Sequence, residues 1–159
     1  MPLRLPARVT LAVPAGERLD RVGLCRLDAD GWSWVGAQRD SVRRTVTAET
    51  RRLGTFALVR DTMAPRVALQ RAPKSAATKP YSRWALEAAV TEEGSGVDAR
   101  GSWLEVDGAR VPTEWDPEAG RLRWRPARPP RRGSHRVLVV AADRAGNVAR
   151  THGAFRVGR

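Results

Sequence analysis

The chain has 159 residues, 42% of them hydrophobic, which is enough to pack one domain or two small ones and too many for a disordered chain. No window approaches the roughly 18 uninterrupted apolar residues that a membrane helix needs, and Met1-Pro2-Leu3-Arg4-Leu5-Pro6 lacks the apolar core of a signal peptide. Net charge is +12, and a single cysteine, Cys25, excludes an internal disulfide framework and a cysteine-based zinc cluster.

Without a leader the chain reads either as cytoplasmic or as the tail of a longer exported chain. Only Lys74 and Lys79 are lysine among the 29 basic residues, so 27 are arginine. They are spread along the whole chain, densest at Arg43-Arg44, Arg51-Arg52 and Arg121 to Arg132. So even a spread is not the pattern of a dedicated nucleic-acid reader, and nucleic acid is not the expected partner. Loose attraction to polyanions follows from net charge alone.

The first 60 residues alternate as strands do. Arg8–Val13 places Val9, Leu11 and Val13 on one face, and Pro14-Ala15-Gly16 ends it. Val22–Leu27 and Trp32–Gly36 flank Asp28-Ala29-Asp30-Gly31, which predicts a hairpin with glycine where positive φ is needed. The Asp28-Asp30-Gly31 group also matches a fragment of a calcium loop, but lacks its further acidic ligands. Cys25 reads as a small hydrophobe on a strand. Thr45–Glu49 and Leu53–Val59 complete five expected strands. Residues 61–65 then read as a linker, because the stretch is short and ends in Pro65, which cannot donate to a ladder.

Residues 66–159 predict seven strands: Arg66–Gln70, Arg83–Thr91, Ser102–Val106, Ala109–Glu114, Arg121–Arg125, Arg136–Ala142 and Val148–Val157. Lys74–Pro80 reads as a loop, Asp107-Gly108 as a two-residue hairpin turn, and Pro126–Gly133 as a proline- and arginine-rich crossover. The segment is organised around Val137–Ala142, apolar throughout, followed by the turn Asp143–Asn147. Either Val137, Val139 and Ala141 face the core or Leu138, Val140 and Ala142 do; the reading leans to the Val139 set. Seven short strands with regular turn signals suggest an immunoglobulin-like sandwich. The expected fold is therefore all-β, with two consecutive β-sandwich domains at 1–60 and 66–159. About 60 residues is short for a complete sandwich, so the first is expected to be incomplete.

Five pieces in order carry a resemblance: Asp61-Thr62-Met63-Ala64-Pro65, Gly94-Ser95-Gly96-Val97-Asp98, Asp107-Gly108, Gly133-Ser134-His135 and Asp143-Arg144-Ala145-Gly146-Asn147. Together they resemble the Ig-like modules of bacterial secreted and cell-surface proteins. Trp32–Gly36 and Leu53–Leu58 more loosely resemble the closing strands of a second sandwich that often precedes such modules. The resemblance implies an extracellular, surface or periplasmic setting. It also implies a non-catalytic role as spacer, adhesion element or accessory domain of a larger exported protein. The partners it implies are other domains of that parent or cell-envelope polymers. Two alternatives stand beside it: a basic polyanion-binding protein, and the accessory tail of a cell-wall hydrolase whose catalytic domain lies upstream.

No Gly-x-Ser-x-Gly elbow, His-Glu-x-x-His or phosphate loop occurs, and His135 and His152 are not paired in sequence, so no catalytic residues and no enzyme activity are expected. In an Ig-like sandwich the loops after the second and sixth strands share one end. That grouping makes Glu92, Glu93, Asp98 and Asp143, with Asn147, candidate calcium ligands, since calcium takes oxygen donors from several loops. The competing reading has Asp143 and Asn147 closing their own turn, with the carboxylates pairing to Arg100 or Arg144. No other cofactor is expected. Of the six tryptophans, Trp32 and Trp34 share a face of one strand. Core or edge packing is expected for most of the six, with any exposed ring available as a contact platform.

Overall fold

The structure is a computed structural model that describes residues 2–72, 84–128 and 130–158. The expected loop at Lys74–Pro80 lies outside them, as does Arg83. No described residue is helical. The chain divides into two compact units. The first comprises Met1–Met63 with Glu93–Gly96 and Asp143–Asn147, and the second comprises Ala64–Glu92, Val97–Ala142 and Val148–Arg159.

The first unit holds two three-stranded sheets. One has the order β1 (Ala7–Ala12), β5 (Thr45–Thr50), β4 (Gln38–Asp40). The other has the order β3 (Gly31–Gly36), β2 (Val22–Asp28), β6 (Phe56–Arg60). The named neighbours pair antiparallel. Alternation in β1 turns Val9 and Leu11 inward, where they meet Val46 and Ala48 of β5 and Val22, Leu24 and Leu58 of the other sheet. The opposite face of β1 and β5 is polar, and there Thr10 and Thr47 share a hydroxyl hydrogen bond at 2.9 Å. The expected hairpin forms at Asp28↔Gly31, with Gly31 at φ +117°.

β2 departs from simple alternation: Val22 to Cys25 are all buried. The register slips between Leu24 and Cys25 against β3, and the indole of Trp34 lies over Gly23 so closely that a Cβ there would overlap the ring. Glycine leaves room for that indole. β4 was not expected from sequence, because three residues with no apolar alternation give no periodic signal. It is held by the turn that follows, where Asp40 Oδ1 accepts the N–H groups of Val42 and Arg43 at 2.9 Å each.

The second unit has two four-stranded sheets. One has the order β10 (Ala109–Val111), β9 (Val97–Val106), β13 (Gly133–Asp143), β14 (Val148–Val157). The other has the order β11 (Glu114–Asp116), β12 (Arg121–Trp124), β8 (Leu86–Thr91), β7 (Arg66–Arg71). The single core they share takes Leu104 and Val106 from β9, Val137, Val139 and Ala141 from β13, and Phe155 and Val157 from β14. Facing them are Leu86, Ala88 and Val90 of β8 and Leu122 of β12, with Trp84 fully buried among them. This is a two-layer arrangement compatible with a β-sandwich. The Val139 set faces the core, as the sequence favoured.

The expected strand Ala109–Glu114 is instead two strands in different sheets. Pro112 has no N–H to donate, and Thr113 takes over: its hydroxyl accepts from Leu104 N at 3.0 Å and donates to Val111 O at 2.9 Å. The side chain ends one ladder and the backbone crosses to the other sheet. β13 and β14 run as a ten-pair antiparallel ladder from Gly133↔Val157 to Ala142↔Val148. Glu87, buried on β8, is neutralised by Arg123 Nε at 2.8 Å and Arg121 Nη1 at 3.3 Å from the neighbouring strand. A buried carboxylate needs such partners.

Candidate functional site

Buried polar side chains without an obvious apolar role mark where a fold has a task beyond packing. Among the described residues of the first unit these are Thr50, whose hydroxyl bonds to the backbone of Arg52, and Asp61, Ser95, Asp143 and Asn147, each no more than 7% exposed; the last four form the candidate site. They are far apart in sequence and meet through hydrogen bonds.

Asp143 stands at the end of β13, where the ladder ends. Its Oδ1 accepts Gly146 N at 2.7 Å and Asn147 N at 2.8 Å, and its Oδ2 accepts Asn147 Nδ2 at 2.6 Å. The backbone closes the same turn, with Asp143 N donating to Asn147 O at 3.0 Å. Gly146 sits at φ +101° inside it. This is an Asx-type turn completed by its own fifth residue.

Asn147 reaches further. Its Nδ2 also donates to Asp61 O at 3.0 Å. Asp61 in turn accepts Met63 N on Oδ1 at 3.1 Å and Ser95 N on Oδ2 at 2.8 Å. Ser95 Oγ accepts Ala145 N at 3.0 Å, and Arg144 N donates to Gly96 O at 2.9 Å. Gly94 lies directly against the Asp61 carboxylate, and a Cβ there would overlap it. Three stretches, 61–63, 94–96 and 143–147, are thus tied into one network.

The charge is not left bare. Arg39, on β4, donates from Nε to Val22 O at 2.8 Å and from Nη2 to Ala145 O at 3.2 Å. Burial lowers its pKa, and the charges of Asp20 and Asp143 oppose that shift. Carboxylate oxygens of Asp61 and Asp143 come within 4.8 Å of each other, with the Arg39 guanidinium reaching the same loop. Asn147 Oδ1 is buried and has no hydrogen-bond partner.

The expected calcium ligands are distributed as follows. Asp143 is buried in this network; Glu93 belongs to the same unit and is exposed. Glu92 and Asp98 belong to the second unit, both half-buried. Asp98 caps its own strand, with Oδ1 accepting Arg100 N at 3.0 Å and its carbonyl accepting Ser102 Oγ at 2.7 Å. Asp61 was read from sequence as part of a linker and of the first piece of the resemblance, and not as a site residue. Nothing local marks it as buried, since its partners come from residues 95 and 147. Chemically, the carboxylate oxygens of the network are already engaged by N–H donors, and Asn147 Oδ1 is not.

Other candidates resolve simply. Cys25 is buried on β2, and burial, with the Asp61 charge adding, pushes its thiol pKa up, away from a reactive thiolate. Trp32 is 50% exposed, and Trp103 is half-buried with the Arg110 guanidinium 5.0 Å from its ring centre. Several arginines form ion pairs within the fold, including Arg26–Asp28 at 2.7 Å and Arg60–Asp20 at 3.2 Å. Others are exposed in both units, among them Arg4, Arg51 and Arg52 in the first and Arg125, Arg128 and Arg150 in the second. No family model matches the chain, and no curated protein matches it.

Proposed function

We propose that this chain is a non-catalytic, Ig-like structural and binding module of a larger exported bacterial protein, acting there as a spacer, adhesion or accessory segment. The observation that carries the reading is how the buried carboxylates are used. Every side-chain oxygen of Asp61 and Asp143 accepts from a backbone or amide N–H that shapes a loop. Groups held in this way fix geometry; they are not poised to move protons or attack a substrate. The order of turn motifs supports the Ig-like assignment, and a partner among envelope polymers is in keeping with a basic, rigid module. The test is co-sedimentation with purified cell-wall sacculi at physiological salt, alongside a hydrolysis assay on the same material. Retention without hydrolysis supports the proposal, whereas turnover of the polymer refutes it.

The exposed arginines favour a second reading, in which the chain holds polyanions by net charge alone. Binding of that kind releases counterions and weakens steeply with salt. Retention on sacculi that survives physiological salt, together with loss of duplex DNA at the same salt, separates the two.

A further inference from the structure

His135 lies near the start of β13 in the second unit, and its ring is held on three sides. Nδ1 is 2.6 Å from Asp107 Oδ2, and Nε2 is 2.7 Å from the carbonyl oxygen of Arg131. One face stacks on Phe155, with centroids 4.9 Å apart and planes 24° apart. The side chain is only 11% exposed.

A neutral imidazole has one N–H and one bare lone pair. Here both nitrogens face oxygen acceptors, a carboxylate and a carbonyl, and neither acceptor has a hydrogen to give. A neutral ring satisfies one and sets a lone pair against the other at hydrogen-bond distance. The imidazolium satisfies both. From this geometry we propose that His135 is a protonation-dependent latch that fastens the backbone at Arg131 to the Asp107 turn, and releases it when the ring loses its proton.

The receiving side is built in advance. Asp107 stands at φ +52° and Gly108 at φ +82°, the left-handed pair of a tight hairpin. Asp107 Oδ1 accepts Arg136 N at 2.8 Å, and Asp107 N donates to Arg136 O at 3.0 Å. The carboxylate is therefore aimed at the ring whatever the ring's charge. The groups that face His135 can be named element by element. The β9–β10 turn offers Asp107. The stretch before β13 offers the Arg131 carbonyl. On β14, Phe155 offers its ring, while its neighbours Ala154 and Arg156 alternate to the other face. Arg136, next along β13, acts on Asp107 and is itself exposed.

The charge directions agree. The hydrogen bond to Asp107 is the main influence raising the His135 pKa above 6.5; burial opposes it and the Arg131 carbonyl adds to it. His135, and then the Arg136 N–H, hold Asp107 below the usual carboxylate range. A histidine whose folded pKa is raised stabilises fully below its unfolded pKa, and that stabilisation is lost as pH rises through the folded value. The latch is closed from mildly acidic pH to the raised His135 value and opens above it.

The test uses the intact chain. Imidazole NMR across pH 4.5–9 reads which nitrogens carry protons, and backbone amide exchange around Arg131 and Arg132, corrected for intrinsic rates, reads the latch. His135 is expected to titrate above 6.5, with both ring nitrogens protonated below that point. Exchange near Arg131 is expected to rise severalfold as pH passes it in the wild type, and to lose that step in His135→Gln, which has one donor group and no titration. A neutral His135 at pH 6, or the same exchange step in His135→Gln, overturns the proposal. If the variant fails to fold, the wild-type protonation pattern alone decides.

Discussion

Replacing Asp143 with alanine tests whether the buried network is structural. The carboxylate receives three donors, Gly146 N at 2.7 Å, Asn147 N at 2.8 Å and Asn147 Nδ2 at 2.6 Å. Gly146 is exposed and its N–H retains a longer bond to Asp143 O at 3.2 Å, so water can serve it. The two Asn147 donors are buried with that residue at 3% exposure. A buried donor left without an acceptor costs about 1–3 kcal/mol, and Nδ2 keeps its second acceptor, Asp61 O. The expected loss is therefore about 2–4 kcal/mol. At about 2–4 °C per kcal/mol for a chain of this size, that is a fall in Tm of about 5–15 °C. Asp143→Asn, which keeps an oxygen acceptor, is expected to lose about half as much. Urea denaturation followed by tryptophan fluorescence gives both values. A cost under about 0.5 kcal/mol for Asp143→Ala would refute the accounting, since surface changes fall in that range. The same samples address calcium. With the carboxylate oxygens engaged, a cation would have to displace N–H donors, although Asn147 Oδ1 offers it one unengaged oxygen. Millimolar calcium is expected to leave the wild-type Tm unchanged. A rise seen in the wild type and absent in Asp143→Ala would identify Asp143 as a cation ligand.

Further expectations can be checked by the same denaturation curves unless another assay is named. Val139→Ala, at a fully buried core position, should cost about 2–3 kcal/mol through lost burial and a cavity; a loss under about 0.5 kcal/mol would place Val139 outside the core. Gly23→Ala should displace the Trp34 indole and cost about 1–3 kcal/mol through overpacking, with a change in tryptophan emission; unchanged emission would contradict the close approach. Gly146→Val puts a β-branched side chain at φ +101° and should cost about 1–3 kcal/mol even though the space beside it is open; a neutral result would mean the turn relaxes freely. Duplex DNA affinity, measured by fluorescence anisotropy, should fall by orders of magnitude between about 50 and 200 mM salt, and sequence-selective binding that resists salt would refute attraction by net charge alone.

The strands were legible where burial is one-sided. β1, with Val9 and Leu11 inward and Arg8 and Thr10 outward, has the two-residue period that side-chain alternation imposes. The Asp28–Gly31 and Asp107-Gly108 turns were legible because positive φ selects glycine there. β4 and β11 were not, because three residues carry no period; both are held by neighbours, the first by β5 and the second by β12. Val137–Ala142 is apolar on both faces, so its inward set needed the structure. The candidate site was half visible. The Asp143–Asn147 turn could be read from its own residues, whereas Asp61 and Ser95 join it through bonds spanning 86 and 50 residues, and no local pattern encodes a partner that distant. His135 gave no signal either, since its carboxylate lies 28 residues upstream.

That the first unit includes residues 93–96 and 143–147 bears on how the chain comes into being. Synthesis runs from the amino end, and Asp61 emerges well before two of the groups that satisfy it. Its Oδ2 waits for Ser95 and its carbonyl for Asn147. Met63 N is at hand early for Oδ1, but until residue 95 has been made Oδ2 lacks its donor, and until residue 147 has been made the carbonyl lacks the Asn147 amide. The hydrogen bonds of that unit are therefore complete only once residues 143–147 have been made. A fragment ending near residue 65 would carry the same strands with Asp61 Oδ2 and the Asp61 carbonyl deprived of the donors that residues 95 and 147 supply.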